Sequence, residues 1–273
     1  MQCAPIRRLH SCSRVNEPVR VKIITTMAGH SKWKNIRLRK GKQDAIRGKL
    51  FTKLGREIIV AARMGGGDPG TNARLRLAID KAKEASLPKE NIDRAIAKGT
   101  GGGDGTNYEE ILYEGVGPGG VAFLVEVYSD NRNRTVGELR HAFTKNGGAL
   151  GENGSQSWQF KHVGQIVVNR SDTDEETLTL AALDSGADDV QADDEAFTVY
   201  TPVSALHACN DALTSAGIPT HEVGLTRIAT NWANPEDSDF PKIVKLYEAL
   251  EDLDDVRETY LNVEIPEEMF AEA

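Results

Sequence analysis

Gly99-Thr-Gly-Gly-Gly-Asp-Gly-Thr-Asn107 divides the chain. Five of these nine residues are glycine and none is hydrophobic, which is the composition of a linker. Upstream of it the apolar residues recur at helical spacing. Downstream they fall into short runs that read as strands. The nine residues therefore set the fold class, a multi-domain α and α+β protein with a helical N-terminal unit.

Working back from the linker, residues 88–98 read as a helix, with Pro88 at its start and Gly99 as its stop. Thr71 or Asn72 can cap a helix to about Ala85, with Leu75, Ala78, Ile79 and Ala82 facing inward. Residues 44–64 form a longer helix. At about 100° per residue, Ile46, Leu50, Phe51, Leu54, Ile58 and Ala61 share one sector, and Lys49, Lys53, Arg56 and Arg63 lie in another beside it. Ser31 can cap a short basic helix ending near Gly41.

Working forward, residues 111–116 and 121–128 flank Gly117-Pro118-Gly119-Gly120. Pro in second place and Gly in third suit a type II turn, so a hairpin is expected. Residues 135–145 follow as a helix, capped by Asn133 or Thr135 and closed by Gly147, with Val136, Leu139, Ala142 and Phe143 inward. Residues 165–169, 174–185, 189–192, 196–201, 203–216 and 222–228 alternate as β-α-β-β-α-β, the order of a ferredoxin-like unit. A helix over 240–253, with Ile243, Val244, Leu246, Tyr247, Leu250 and Leu253 as its stripe, and a strand over 258–265 complete the chain.

Charge follows the same division. Residues 27–100 hold 18 Lys/Arg against 7 Asp/Glu, whereas residues 171–273 hold 4 against 25. The overall net charge of −8 hides this split. A dense basic block points to nucleic acid, because each clustered cation can neutralise a phosphate and release a counterion. The acidic runs at 172–176 and 251–255 do not fit a calcium loop and read as solvated faces.

The basic block includes Gly29-His30-Ser31-Lys32-Trp33-Lys34-Asn35-Ile36-Arg37. Trp33 is expected in the helical core, and the cations around it on phosphate. Lys32, Lys34, Arg37, Lys40, Lys49, Lys53, Arg56 and Arg63 are the candidate phosphate contacts. Lys53 and Arg56 lie off the apolar stripe, so reversing both charges should weaken binding and leave the fold intact. A second candidate is Asp130-Asn131-Arg132-Asn133-Arg134-Thr135. Cations at a helix start oppose the macrodipole unless an anion sits there. Arg132 and Arg134 thus mark either a second phosphate contact or ion pairs with an acidic neighbouring domain.

Several chemistries are not signalled. Cys3, Cys12 and Cys209 form no CxxC, and Cys209 sits on an apolar helix face as a packing residue. The six histidines lack metal-ligand spacing. The glycine runs do not match GxxxxGK[ST], and no serine lies in GxSxG. No apolar run approaches the ~18 residues of a membrane span. No cofactor, no small-molecule substrate and no catalysis are expected. Residues 1–26 are Arg-rich and acid-poor, as mitochondrial transit peptides are, but Pro5 and Pro18 interrupt any amphipathic helix. The preferred reading makes Met27 the natural start and the location cytoplasmic. A true presequence would make it mitochondrial.

Met27-AGHSKWKNIR, QDAIRGKLFTKLGREIIVAAR from Gln43, GGGDPGTNARLRLAIDKAK from Gly65 and LPKENIDRAIAKGTG from Leu87 resemble the YebC/PmpR family. So do YEEILYEGVGPGGVA from Tyr108, DNRNRTVGELRHAFTKNGG from Asp130 and ALEDLDDVRETYLN from Ala249. The chain departs from the family pattern at Ala73, Leu87 and Tyr128-Ser129, which are packing or loop positions. The resemblance implies a basic helical domain (27–100), an α+β middle domain (107–162 and 232–273) and an acidic ferredoxin-like domain (163–231) inserted into the middle one. Bacterial members are described as transcriptional regulators that bind DNA. Mitochondrial relatives are translational activators for cytochrome c oxidase, and some members associate with the ribosome. The expected function is thus a nucleic-acid-binding regulator of YebC type. The alternative is a ribosome-associated factor on ribosomal RNA, since no helix offers Asn, Gln and Arg to base edges in a recognition pattern.

Overall fold

The structure, a computed structural model, describes residues 43–102, 108–193 and 195–266, with side chains from residue 48 onward. The expected cap at Ser31, the Trp33 segment and Lys32, Lys34, Arg37 and Lys40 lie outside the described residues.

Among the described residues, three helices form the N-terminal unit: α1 (Gln43–Gly65), α2 (Ala73–Glu84) and α3 (Lys89–Gly99). Their inward residues include Leu54, Ile58, Ala61, Leu75, Ala78, Ile79 and Ala82, which the helical period selects, and also Ile59, Ala62, Ile92 and Ala95. Asn72 caps α2, its Oδ1 accepting the Leu75 N–H at 3.0 Å. Its Nδ2 donates to the Ala61 and Gly66 carbonyls at 2.8 Å each, which ties the end of α1 to the start of α2. Gly99 serves packing rather than termination. A Cβ there would stand 2.5 Å from the Ile59 carbonyl oxygen, and the left-handed residue after the helix is Gly101, at φ 99°.

The first sheet is antiparallel, in the order β3-β1-β2-β8. Its strands are β1 (Glu109–Val116), β2 (Ala122–Ser129), β3 (Ala149–Leu150) and β8 (Val256–Leu261). The hairpin turn sits one residue later than expected. Gly119 and Gly120 both have positive φ, 67° and 75°, and the Val121 N–H closes onto the Pro118 carbonyl at 3.4 Å. Pro118 is therefore the first corner of a type I′-like turn, whose twist suits a hairpin better than type II does. Helices α4 (Arg132–Lys145) and α7 (Phe240–Glu251) cover one face of this sheet. Phe123 meets Phe143 there edge to face, 5.8 Å between centroids.

Two boundaries in this unit move. Helix α4 begins at Arg132, capped by Asn131, whose side chain accepts the Arg134 N–H at 3.2 Å. Strand β8 starts at Val256 and stops at Leu261, where the Asn262 side chain accepts the Ala122 N–H at 2.8 Å.

The second sheet lies between these elements in the chain. Strands β4 (Phe160–Asn169), β5 (Asp189–Ala192), β6 (Ala196–Thr201) and β7 (Glu222–Ala229) run antiparallel in the order β5-β6-β4-β7. Helices α5 (Glu175–Asp184) and α6 (Leu206–Ser215) pack on it through Leu178, Ala182, Leu206, Cys209 and Leu213. Cys209 is a packing residue, as expected, and its sulfur accepts the Ser185 hydroxyl. Strand β4 starts earlier than the expected Gln165. Phe160 belongs to an apolar cluster with Ala122, Leu124, Ala229 and Tyr260 that joins the two sheets. The chain then returns as α7 and β8, and β8 pairs with β2.

Candidate nucleic-acid interface

Strand β2 is buried along its whole length. Phe123, Val125 and Val127 face α4 and α7. The opposite face carries a carboxylate, Glu126, which is only 5 % exposed. Arg227 on β7 donates to it at 2.9 Å. Arg257 on β8 also donates to it, and reaches Glu57 on α1 at 3.3 Å. A chain of charges, Arg227–Glu126–Arg257–Glu57, thereby joins the second sheet, the first sheet and the helical unit. Burial opposes the charge on Arg257, but Glu57, Tyr128, Tyr260 and Glu126 around it hold its pKa well above the ordinary value. Arg74 on α2 adds a second link, donating to Glu110 at 2.8 Å and to the Tyr128 hydroxyl at 2.9 Å.

The cations expected on phosphate occupy the neighbouring seam. Lys49 pairs with Asp252 at 3.2 Å. Lys53 pairs with Glu251 at 3.0 Å and donates to the Glu251 carbonyl at 2.9 Å. Arg56 pairs with Asp255 at 3.2 Å and donates to the Asp254 carbonyl. These three side chains stand on one side of α1 because they are spaced four and three residues apart. Their partners are the last turn of α7 and the loop after it. Those carbonyls lack helical donors and lie at the negative end of the helix dipole, so cations suit them.

Two expectations therefore change. Lys53 and Arg56 do lie off the apolar stripe, but they face a neighbouring unit and not solvent. The acidic run 251–255, expected as a solvated face, is where the helical unit docks. Asp255 is 3 % exposed. Arg63 is separate, exposed in the last turn of α1.

The Asp130–Thr135 motif meets the same seam. Arg134 pairs with Asp130 at 2.8 Å and with Asp255 at 2.6 Å. Thr135 donates to the Asp255 carboxylate at 2.7 Å. Burial pushes the Asp255 carboxyl up, but the Thr135 and Arg134 hydrogen bonds and the Arg56 and Arg134 charges outweigh it and hold the group below the usual range. Arg132 pairs with Glu109 at 2.6 Å. Of the two alternatives for these arginines, both make ion pairs, with carboxylates bordering the first sheet and not with the acidic second-sheet unit. Asp130 and Asp255 also supply the anions that the start of α4 requires.

Lys49, Arg56 and Arg134 converge on a cleft of about 590 Å³, with Asp130, Glu138 and residues 252–255 as its remaining walls. Lys53 stands beside it, whereas Arg132 and Arg63 do not line it. Sequence reasoning missed the buried chain through Glu126. Its one signal was a lone acid inside the apolar run of β2. Glu114 on β1 is a similar case. It is 2 % exposed and accepts N–H groups of Gly154, at 2.7 Å, and Ser157, at 2.9 Å, as well as Gln156. Burial raises its pKa, but these backbone donors bring it below the usual range. They also fix the loop that presents Trp158, 65 % exposed.

Among the described residues no cluster of His, Cys, Asp and Glu could hold a metal ion, and no helix is long and apolar enough to cross a membrane. The departures at Leu87, Tyr128 and Ser129 are buried positions, and Ala73 opens α2.

Residues 31–102 match the family described as the TACO1/YebC protein N-terminal domain, and residues 108–263 match its second and third domain. A protein of Desulfitobacterium hafniense named "probable transcriptional regulatory protein" is 51 % identical over 241 residues, covering 87 % of this chain and 96 % of the relative. A protein of Pectobacterium atrosepticum with the same description is 50 % identical over 244 residues, covering 89 % and 98 %. A crystal structure of a conserved hypothetical protein from Aquifex aeolicus superposes with a TM-score of 0.76 at 46 % identity, covering 82 % of this chain and 93 % of that one. The chain belongs to the TACO1/YebC family.

Proposed function

We propose that the protein is a non-enzymatic regulator of gene expression that grips nucleic acid through its basic N-terminal unit. The observation that carries this reading is the concentration of cations, 18 against 7 acids, in residues 27–100 of a chain that is acidic overall. The regulatory description of relatives about half identical in sequence supports it.

Lys32, Lys34, Arg37 and Lys40 are the first contacts, and Arg63 and Arg132, the latter by giving up Glu109, extend them. Lys49, Lys53, Arg56 and Arg134 join them by exchanging a carboxylate for a phosphate. DNA is the preferred target. Ribosomal RNA, held by shape and backbone, is the second reading, because the exposed positions of α2 and α3 carry mostly Arg, Lys, Asp and Glu, and such charges position a protein without reading bases. We divide the chain into 27–100, 107–162 with 232–273, and 163–231. The sheet order β7-β4-β6-β5 supports a ferredoxin-like class for the last, and the pairing of β8 with β2 supports its insertion.

Gel shifts with duplex DNA over a salt series test the function, alongside gradient sedimentation with ribosomal subunits. Binding that weakens with salt and drops in Lys32→Glu with Lys34→Glu is the expected result. Absence of binding to either partner at low salt overturns the reading.

A further inference from the structure

We infer that residues 251–255 act as an internal competitor for nucleic acid, a clasp that occupies the cations of α1 until a polyanion displaces it. The inference rests on the nucleic-acid reading and adds a regulation of that same site.

Three observations carry it. First, the occupancy is systematic. Lys49, Lys53 and Arg56 each meet a carboxylate of 251–255, and each also donates to a backbone carbonyl there. Carboxylates and carbonyls at the negative end of a helix offer these side chains the acceptor chemistry of a phosphate backbone. Second, the seam is charged and not greasy. The apolar cluster of the helical unit is separate from both clusters of the first sheet. Part of this contact can therefore open without exposing a core. Third, the pairs differ in depth. The Lys49 and Asp252 side chains are 47 % and 58 % exposed, whereas those of Arg56 and Asp255 are 16 % and 3 % exposed. A polyanion can take Lys49 first and work inward. Exposed pairs contribute little individually and are screened by salt, so an array of phosphates is able to replace them.

In the closed arrangement the acids cancel the cations and the cleft repels phosphate. In the open one Lys49, Lys53 and Arg56 are released beside Arg134, which shares Asp255 with Arg56 alone. Nucleic acid thus reaches the cations of α1 only after the clasp yields.

The test compares the full-length protein with Asp252→Asn and with Glu251→Gln plus Asp252→Asn, in gel shifts on duplex DNA and in sedimentation with ribosomal subunits at low salt. Neither change touches an apolar core, and thermal melting checks that both variants fold. The clasp predicts that affinity for whichever polyanion binds rises roughly three- to tenfold in the double variant and less in the single one. Nitroxide labels on exposed sites of α1 and α7 provide a second measurement, and their separation should grow when that polyanion is added. Unchanged or weaker binding in the variants, or a constant label separation at saturation, overturns the clasp while the nucleic-acid reading stands. A wild-type protein that binds neither DNA nor ribosomal subunits at low salt overturns both.

Discussion

The two faces of β2 are built from alternate residues of one strand, yet they do different work. Phe123, Val125 and Val127 enter an apolar core beneath α4 and α7. Leu124, Glu126 and Tyr128 point to the seam where the helical unit and the second sheet arrive. The first face is held by area removed from water, which is insensitive to small rotations of its partners. The second is held by directed contacts between charged groups, which tolerate few arrangements. Stability and orientation are thus assigned to opposite sides of the same strand.

The largest effect should come from breaking the apolar face. Phe123→Ala removes a fully buried ring that packs on Phe143, and should destabilise the protein by about 4 kcal/mol in urea unfolding. On the other face, Glu126→Ala strips Arg227 and Arg257 of a shared carboxylate and should cost about 3 kcal/mol. Replacing Glu126, both arginines and Glu57 with apolar residues together should recover much of that loss, which a multiple-mutant cycle in the same assay would show.

Lys53→Glu with Arg56→Glu probes the seam alone. The helical unit should loosen at a stability loss of about 1–2 kcal/mol, and calorimetry should resolve two transitions where the wild type shows one. High salt should produce a weaker form of the same split in the wild type. A single unchanged transition would mean that the seam is held by something other than these pairs.

The smallest effect is that of pH. Glu114 stands opposite Leu124 in the β1–β2 ladder, and Asp255 borders the same seam. Both carboxyls are held below their ordinary range in the folded state. Their contribution is therefore complete above the unfolded carboxylate value of about 4 and is lost as pH falls through the lower folded values. Melting temperature should decline below about pH 4, and Glu114→Gln should flatten that decline. A decline of equal slope in Glu114→Gln would remove this carboxylate from the account.

The sequence expresses one face of β2 far better than the other. Periodicity located α1 and α2, Pro88 and Gly99 bracketed α3, and Asn72 was a candidate cap that the structure uses. The β5 and β6 boundaries agree with expectation to the residue. What could not be read locally depends on distant partners. Asn133 and Thr135 were the expected caps of α4, but Asn131 takes the role, and Thr135 is instead engaged by Asp255, 120 positions away. The sector holding Lys53 and Arg56 was identified correctly as non-apolar. A helical period shows which side is not greasy, but it does not show that residues 198 positions later will cover it. The hairpin turn shifted because a Pro-Gly-Gly run satisfies two turn types, and strand twist selects between them.

The Arg227–Glu126–Arg257–Glu57 chain has a consequence for how such proteins can be recombined. Its members come from four different secondary-structure elements, and each is the counterpart of the next. A helical unit transplanted from a relative would keep its own core whatever its identity to this chain. It would seat in the same orientation only if an acid stood at the position of Glu57. A protein that looks assembled from interchangeable parts is, along this line of residues, inherited as a single piece.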